Sequence, residues 1–278
     1  QSSRGLGDVY KRQWVEPGDL DLPGYKPTTE PNPKMVQQAS SLIKKSKKPI
    51  LYVGGGIIHS KANNELFELA TKFNIPVVTT LMGRGAFPDG HELCLEMPGM
   101  HGNYTATTSI QNADLLIAIG VRFDDRVTAN PSFFAQNAKV IHADIDPAEI
   151  GKVRDAQVPI VGDAKSVIKG LIEALGDEKL DTKNWVSELK EMKTEFPLSY
   201  KQEDKGPLKV PYVLEELQKL TKEEAIVVAG VGQHQMWVSQ HWNFTEPNTW
   251  LNSGGLGTMG YALPCLLYTS PSPRDDCP

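Results

Sequence analysis

The feature that most limits what this chain can fold into is a repeated alternation. Short, mostly apolar runs at positions 50–53, 77–80, 115–119, 140–143 and 160–161 are separated by segments whose apolar residues recur at helical spacing. Strands with no polar face must be covered on both sides, and intervening helices supply that cover. The pattern therefore predicts βαβ units and a doubly wound parallel sheet, an α/β fold. Val36, Ala39 and Ile43 form one helical stripe, closed by Lys44, Lys45, Lys47 and Lys48 and stopped by Pro49; cations suit a helix C-terminus. Leu66, Leu69, Ala70 and Phe73 form a second stripe. Asp163 can cap a third helix carrying Val167, Leu171, Ile172 and Leu175. Residues 176–206 change character, holding one amphipathic helix (Trp185, Leu189, Met192) and the charged run 201–205. The alternation then restarts with Val213, Leu214, Leu217 and Leu220, a strand at 226–229 and another at Trp250-Leu251.

Length leaves room for two domains at most, since the chain has 278 residues. The expected division is a central domain over 34–180, a linker with a helix over 181–208, and the truncated start of a second α/β domain over 209–264. Residues 14–33, rich in Pro and Gly, read as an extended linker. Residues 1–13 and 265–278 lack periodicity and resemble translated cloning or adapter sequence, so the expectation is an internal fragment with two artefactual tails. No apolar run approaches the ~20 residues of a membrane helix. With 29 Lys+Arg against 34 Asp+Glu, the net charge is −5, which leaves no basic surplus for nucleic acid. Cys94, Cys265 and Cys277 are odd in number and widely spaced, supporting neither a disulfide framework nor a zinc site. An intracellular, soluble protein is expected.

Several groups could carry chemistry. Gly54, Gly55 and Gly56 stand where a strand hands over to a helix, so their backbone N–H groups could approach a phosphate; a tight βα turn would need glycine even without one. The acid that a nicotinamide site wants ~20 residues later is missing from 75–81, which disfavours an NAD dehydrogenase. Asp144 ends the strand at 140–143 and could accept hydrogen bonds from a ribose; Asp146 could merely cap a helix begun by Pro147, and spacing favours the capping reading. Arg122-Phe-Asp-Asp-Arg-Val127 packs two arginines and two acids at a strand end. It suits either an anionic ligand or a solvated turn with internal ion pairs. His101, in Gly99-Met-His-Gly102, reads as a surface or supporting histidine, and the six histidines show no metal-ligand spacing. Gly230-Val-Gly-Gln-His-Gln235 and Gly254-Gly-Leu-Gly-Thr-Met-Gly260 follow neighbouring strands and could together cradle a pyrophosphate.

Taken together, and in this order, the motifs Leu22-Pro-Gly-Tyr-Lys-Pro-Thr28, Ile50-Leu-Tyr-Val-Gly-Gly-Gly56, Met97-Pro-Gly-Met-His-Gly102, Arg122-Phe-Asp-Asp-Arg-Val-Thr128, Ala143-Asp-Ile-Asp-Pro-Ala-Glu-Ile150, Gly230-Val-Gly-Gln-His-Gln-Met236 and Trp250-Leu-Asn-Ser-Gly-Gly-Leu-Gly-Thr-Met-Gly260 resemble the large catalytic subunit of acetolactate synthase. The resemblance spans about residues 14–264. It implies the FAD-binding middle domain of a thiamine diphosphate (ThDP) enzyme and the opening of its ThDP-binding domain. Implied FAD contacts are Gly54, Gly55, Gly56, Thr80, Leu81, Met100, His101, Gly120, Arg122, Asp124, Arg126, Val127, Asp144, Ile145, Asp163 and Ala164. Implied ThDP contacts are Val231, Gly232, Gln233, His234, Gly257 and Met259, and Arg126 could also hold an acceptor carboxylate.

The implied reaction joins two pyruvates, or pyruvate and 2-oxobutyrate, with loss of CO₂, in branched-chain amino acid biosynthesis. In that family the activating glutamate and the Mg²⁺-binding segment lie in parts this sequence does not show, so the chain alone is expected to be inactive and to ligate no metal. Also implied are a homodimer or higher assembly, a regulatory small subunit, no nucleic-acid or membrane partner, and a cytoplasmic site (a plastid in plants or algae). Alternatives are another ThDP enzyme, such as glyoxylate carboligase, pyruvate oxidase or an ADP-binding acyl-CoA lyase, or a non-catalytic nucleotide-binding regulator.

Overall fold

The computed structural model describes residues 26–221 and 225–269. Residues 1–25 and 270–278, which include the first expected tail and most of the second, lie outside the described residues.

The chain opens with α1 (Pro33–Lys45), where Asn32 caps by accepting from the Lys34 N–H and Pro33 occupies the first turn. There follow β1 (Pro49–Val53), α2 (Gly55–His59), α3 (Asn63–Phe73), β2 (Val77–Thr79), α4 (Tyr104–Asn112), β3 (Leu115–Ile119), α5 (Asp125–Thr128), β4 (Lys139–Asp144), β5 (Val158–Val161), α6 (Ala164–Leu175) and α7 (Lys183–Glu195). All five strands are parallel, in the order β2-β1-β3-β4-β5. The alternation read from sequence is thus realised strand for strand, although β2 stops at Thr79 and leaves Thr80 in the following turn.

Both faces of the sheet are covered, as apolar strands require. Leu51, Val53, Ile117, Ile119 and Ile141 face α1, α3 and α6. Ile50, Tyr52, Leu116, Ala118 and Val140 face α4 and α7. The helix expected within a linker, α7, therefore belongs to the central layer. Its Trp185 and Leu189 are buried against the sheet, and the Trp185 indole N–H donates to the Pro49 carbonyl at 3.2 Å. Only 196–209 remains as connection.

The second unit comprises α8 (Val210–Leu220), β6 (Val227–Ala229), α9 (Gln233–His241), β7 (Trp250–Asn252) and α10 (Ala262–Thr269), with β6 and β7 paired in parallel. Helix α10 runs across the expected boundary at residue 264. Pro264 falls in its first turn, where no intrahelical N–H bond is lost, so the helix continues through Cys265 and Leu266.

Candidate functional site

In the order 2-1-3-4-5 the chain steps from β1 out to β2, then crosses back past β1 to β3 on its other side. The loops beyond the strand ends at such a switch are the usual place for a ligand in an open parallel sheet. Hydrogen bonds of ladder type run one residue past the strands and fix the loop starts: Gly54 N–H to Ile119 O at 3.3 Å, Thr80 N–H to Val53 O at 2.9 Å, Gly120 N–H to Ala143 O at 2.9 Å, and Gly162 N–H to Asp144 O at 3.0 Å.

The three glycines after β1 serve different ends. A Cβ on Gly54 would lie 2.4 Å from the Gly120 carbonyl oxygen, and one on Gly56 would lie 2.6 Å from the Gly120 Cα. Gly120 itself has φ +60. These positions are glycine because two backbones cross there, which is the packing explanation entertained from sequence. At Gly55 a Cβ would meet only ordinary contact, 3.5 Å from Met82. Protein packing does not demand glycine at 55.

The Arg122–Arg126 turn is self-organised. Asp124 accepts from the Arg122 guanidinium through one carboxylate oxygen, and from the Arg126 N–H at 3.0 Å through the other, so it also caps α5. The internal ion pair of the second reading is therefore present, for one arginine. The other, Arg126, is exposed and its guanidinium makes no hydrogen bond or ion pair among the described residues. Gly99, with φ +101, lies against the Arg126 carbonyl and Val127, and the Met100 N–H donates to Arg126 O at 2.8 Å. The Met100-His101 loop is thereby docked on the same turn. Both side chains are exposed, Met100 by 69%.

Asp144 is half-buried at the end of β4 and accepts from the Asp146 N–H at 3.0 Å. Burial pushes its carboxyl above the usual carboxylate range, with that hydrogen bond pulling back. Asp146 caps a turn through the Ala148 N–H at 2.9 Å, but no helix follows Pro147. Ile145 is exposed beside it. Asp163 spends its carboxylate on capping α6 through the Lys165 and Ser166 N–H groups, ahead of buried Ala164. Thr80 and Leu81 stand beyond β2, and the Leu81 carbonyl accepts from the Trp250 indole at 3.0 Å.

In the second unit, the turns after β6 and β7 meet. A Cβ on Gly257 would lie 3.9 Å from Val231 Cγ1, and Gly257 has φ +68. The His234 ring folds back over Gly230 and Gly232, Gln233 is exposed, and Met259 is 79% exposed. Among the described residues no cluster of three or more His, Cys, Asp or Glu could hold a metal ion.

Sequence reasoning passed over the join between the units. Arg84 and Asp89, each with a side chain 1% exposed, form a bidentate pair at 2.8 and 2.7 Å. Asp89 also accepts from the Phe244 N–H at 2.7 Å, and the guanidinium lies 5.5 Å over the Phe244 ring. Burial works to raise the Asp89 pKa, against the guanidinium and the N–H that favour the carboxylate. Cys94, wholly buried, has its thiol 3.6 Å from the same carboxylate. The Gln240 amide reaches across to the His101 carbonyl at 2.7 Å.

Comparison with known proteins agrees with this layout. Residues 36–171 match the thiamine pyrophosphate enzyme central domain, and residues 230–267 match the C-terminal TPP binding domain of such enzymes. The chain is 52% identical over 257 residues to an acetolactate synthase large subunit of Corynebacterium glutamicum, covering 91% of this chain and 41% of that protein. It is 52% identical over 255 residues to an acetolactate synthase of Mycobacterium leprae, covering 90% of this chain and 41% of the relative. A probable acetolactate synthase large subunit of Methanocaldococcus jannaschii is 42% identical over 268 residues, covering 94% and 45% respectively. The chain thus spans less than half the length of these relatives.

Proposed function

We propose that this chain, homologous to part of the acetolactate synthase large subunit, carries that enzyme's flavin-nucleotide site and the start of its ThDP site. The observation that carries the reading is convergence. Gly55, Thr80, Arg122, Arg126 and Asp144, from four separate strand ends, gather along one edge of the sheet at its switch point.

The residues fit a dinucleotide on their own chemistry. The room at Gly55 admits close approach of a ligand to backbone, and Arg126, unpaired among the described residues, offers donors to a pyrophosphate. Asp144 offers an acceptor to ribose hydroxyls; its placement at a strand's carboxyl end is the usual one for that task. Asp124 keeps Arg122 aimed by occupying one side of its guanidinium. In the second unit Val231, Gly232, Gln233 and His234 would hold the diphosphate of ThDP together with Gly257 and Met259, while Mg²⁺ would need ligands from elsewhere in the longer protein. When bound, ThDP supplies an electron sink for decarboxylating a 2-oxo acid, and FAD takes no net part in redox. This chain's own contribution is binding and orientation: Arg126 can hold a substrate carboxylate, and the Met100-His101 loop is docked beside it. The substrates under this reading are pyruvate and a second 2-oxo acid, pyruvate or 2-oxobutyrate. The assembly is an oligomer with a small regulatory subunit, in the cytoplasm.

Equilibrating the 278-residue chain with FAD and desalting tests the nucleotide site. Retained flavin that excess ADP displaces is expected; colourless protein overturns the reading. A longer polypeptide carrying this chain, given pyruvate, ThDP and Mg²⁺, is expected to form acetolactate, releasing one CO₂ for each pair of pyruvates. With inorganic phosphate and O₂ also supplied, acetyl phosphate and H₂O₂ as products would reassign it to an oxidase.

A further inference from the structure

Phe123 lies inside the Arg122–Arg126 turn and breaks a conformational rule. Its φ is +51, in the left-handed region that a bulky side chain avoids unless the surroundings hold it there. The surroundings are visible. Tyr52 on β1, Ala118 on β3 and His142 on β4 occupy one row across three neighbouring strands. Two strand spacings separate Tyr52 from His142, about 10 Å, with only a methyl group between them. The Phe123 ring fills that gap. It meets Tyr52 at 5.5 Å and His142 at 4.9 Å between centroids, both edge-on, and Phe134 closes the group at 6.1 Å. Phe123 is 2% exposed, and Tyr52 and His142 are not exposed at all.

His142 holds the turn a second way. Its Nε2 lies 2.8 Å from the Val121 carbonyl oxygen, the residue before the turn's first arginine. A carbonyl can only accept, so Nε2 carries the proton. Nδ1 has no partner among the described residues, and burial lowers the imidazole pKa, as a neutral ring requires. A histidine is thus kept uncharged inside a parallel sheet to fasten one loop carbonyl. Arg122 precedes the anchored residue in the chain, and Arg126 follows it in the short helix α5.

We propose that Phe123 and His142 are positioning residues of the dinucleotide site, fixing the Arg122–Arg126 turn from beneath. This rests on the flavin-nucleotide reading above and says which buried groups give that site its shape. The test uses the full chain with His142→Gln, which keeps a side-chain N–H near the Nε2 position, and His142→Met, which keeps volume but donates nothing. Two quantities are measured on each folded protein: the Kd for FAD, and the rate of tryptic cleavage after Arg122 and Arg126. Loss of one buried hydrogen bond predicts roughly a fivefold to tenfold weaker FAD binding and faster cleavage for His142→Met. His142→Gln should stay within about threefold of the parent on both. If Met and Gln variants match the parent on both measurements, while differing only in melting temperature, the proposal is overturned and the cage is ordinary core. If the parent chain binds no FAD, the nucleotide reading falls. The cleavage rates alone then decide whether His142 sets the turn.

Discussion

The central sheet and the two-stranded unit share one sequence grammar and reach different ends. In the first, five strands lie between helices on both faces, and the stripes read from sequence are largely buried: Leu66, Leu69, Val167 and Leu171 are wholly inaccessible, while Ile172 and Met192 are half-buried. In the second, the α8 stripe is only partly used. Leu214 packs against a small cluster around Phe244 and Trp250, while Leu217 is 46% exposed and Leu220 78% exposed. Periodicity makes a helix amphipathic, but only a second layer makes its stripe a core. The smaller unit therefore leans on the larger, through Arg84, Asp89 and Phe244 and through the Trp250 indole on Leu81.

The sharpest way to break this comparison is Asp89→Ala. It leaves the Arg84 guanidinium buried without its carboxylate, at a cost of about 3–5 kcal/mol. Denaturant unfolding should show that loss, with earlier protease cutting in 196–209 as the units part; a change confined to the central sheet would contradict the dependence described. A smaller effect separates the two glycines. Gly56→Ala meets the Gly120 backbone and should destabilise by about 1–3 kcal/mol. Gly55→Ala should leave the melting temperature near the parent's yet weaken FAD binding, and equal melting losses for both would refute the distinction.

Asp144→Asn tests the edge itself. The folded Asp144 pKa is raised, so ionisation costs more in the folded chain than in the unfolded one. Stability contributed by the protonated form is therefore lost as pH rises through the upper carboxylate range. The ligand-free variant should melt slightly higher than the parent above that range, by less than about 1 kcal/mol, and like it at lower pH. It should also bind FAD less well. The smallest effect is expected of Leu220→Ser, within about 0.5 kcal/mol by chemical denaturation, because the side chain already faces solvent. A large loss there would mean the second unit has a core of its own.

What could be read in advance follows from where the information lies. Strands β1 to β5 and the capping of α6 by Asp163 are local, and their residues announce them. The edge residues were legible as well, since a residue just beyond a parallel strand is placed by the strand. Three things were not. Whether α7 belongs to a linker or to the sheet depends on Trp185 reaching Pro49, 136 residues away. The Asp89–Phe244 contact spans 155 residues and follows no period. The left-handed Phe123 violates the local preference that sequence reading relies on, and only its cage explains it.

The placement of Cys94 has a practical outcome. Its thiol lies against the Asp89 carboxylate, and burial together with that negative charge pushes its pKa up, so little thiolate forms at neutral pH. Alkylating reagents should pass it by while Arg84, Asp89 and Phe244 stay closed, and modify it when they separate. Mass spectrometry of the peptide bearing this sulfur would then serve as a native clock for breathing at the seam, with no engineered label.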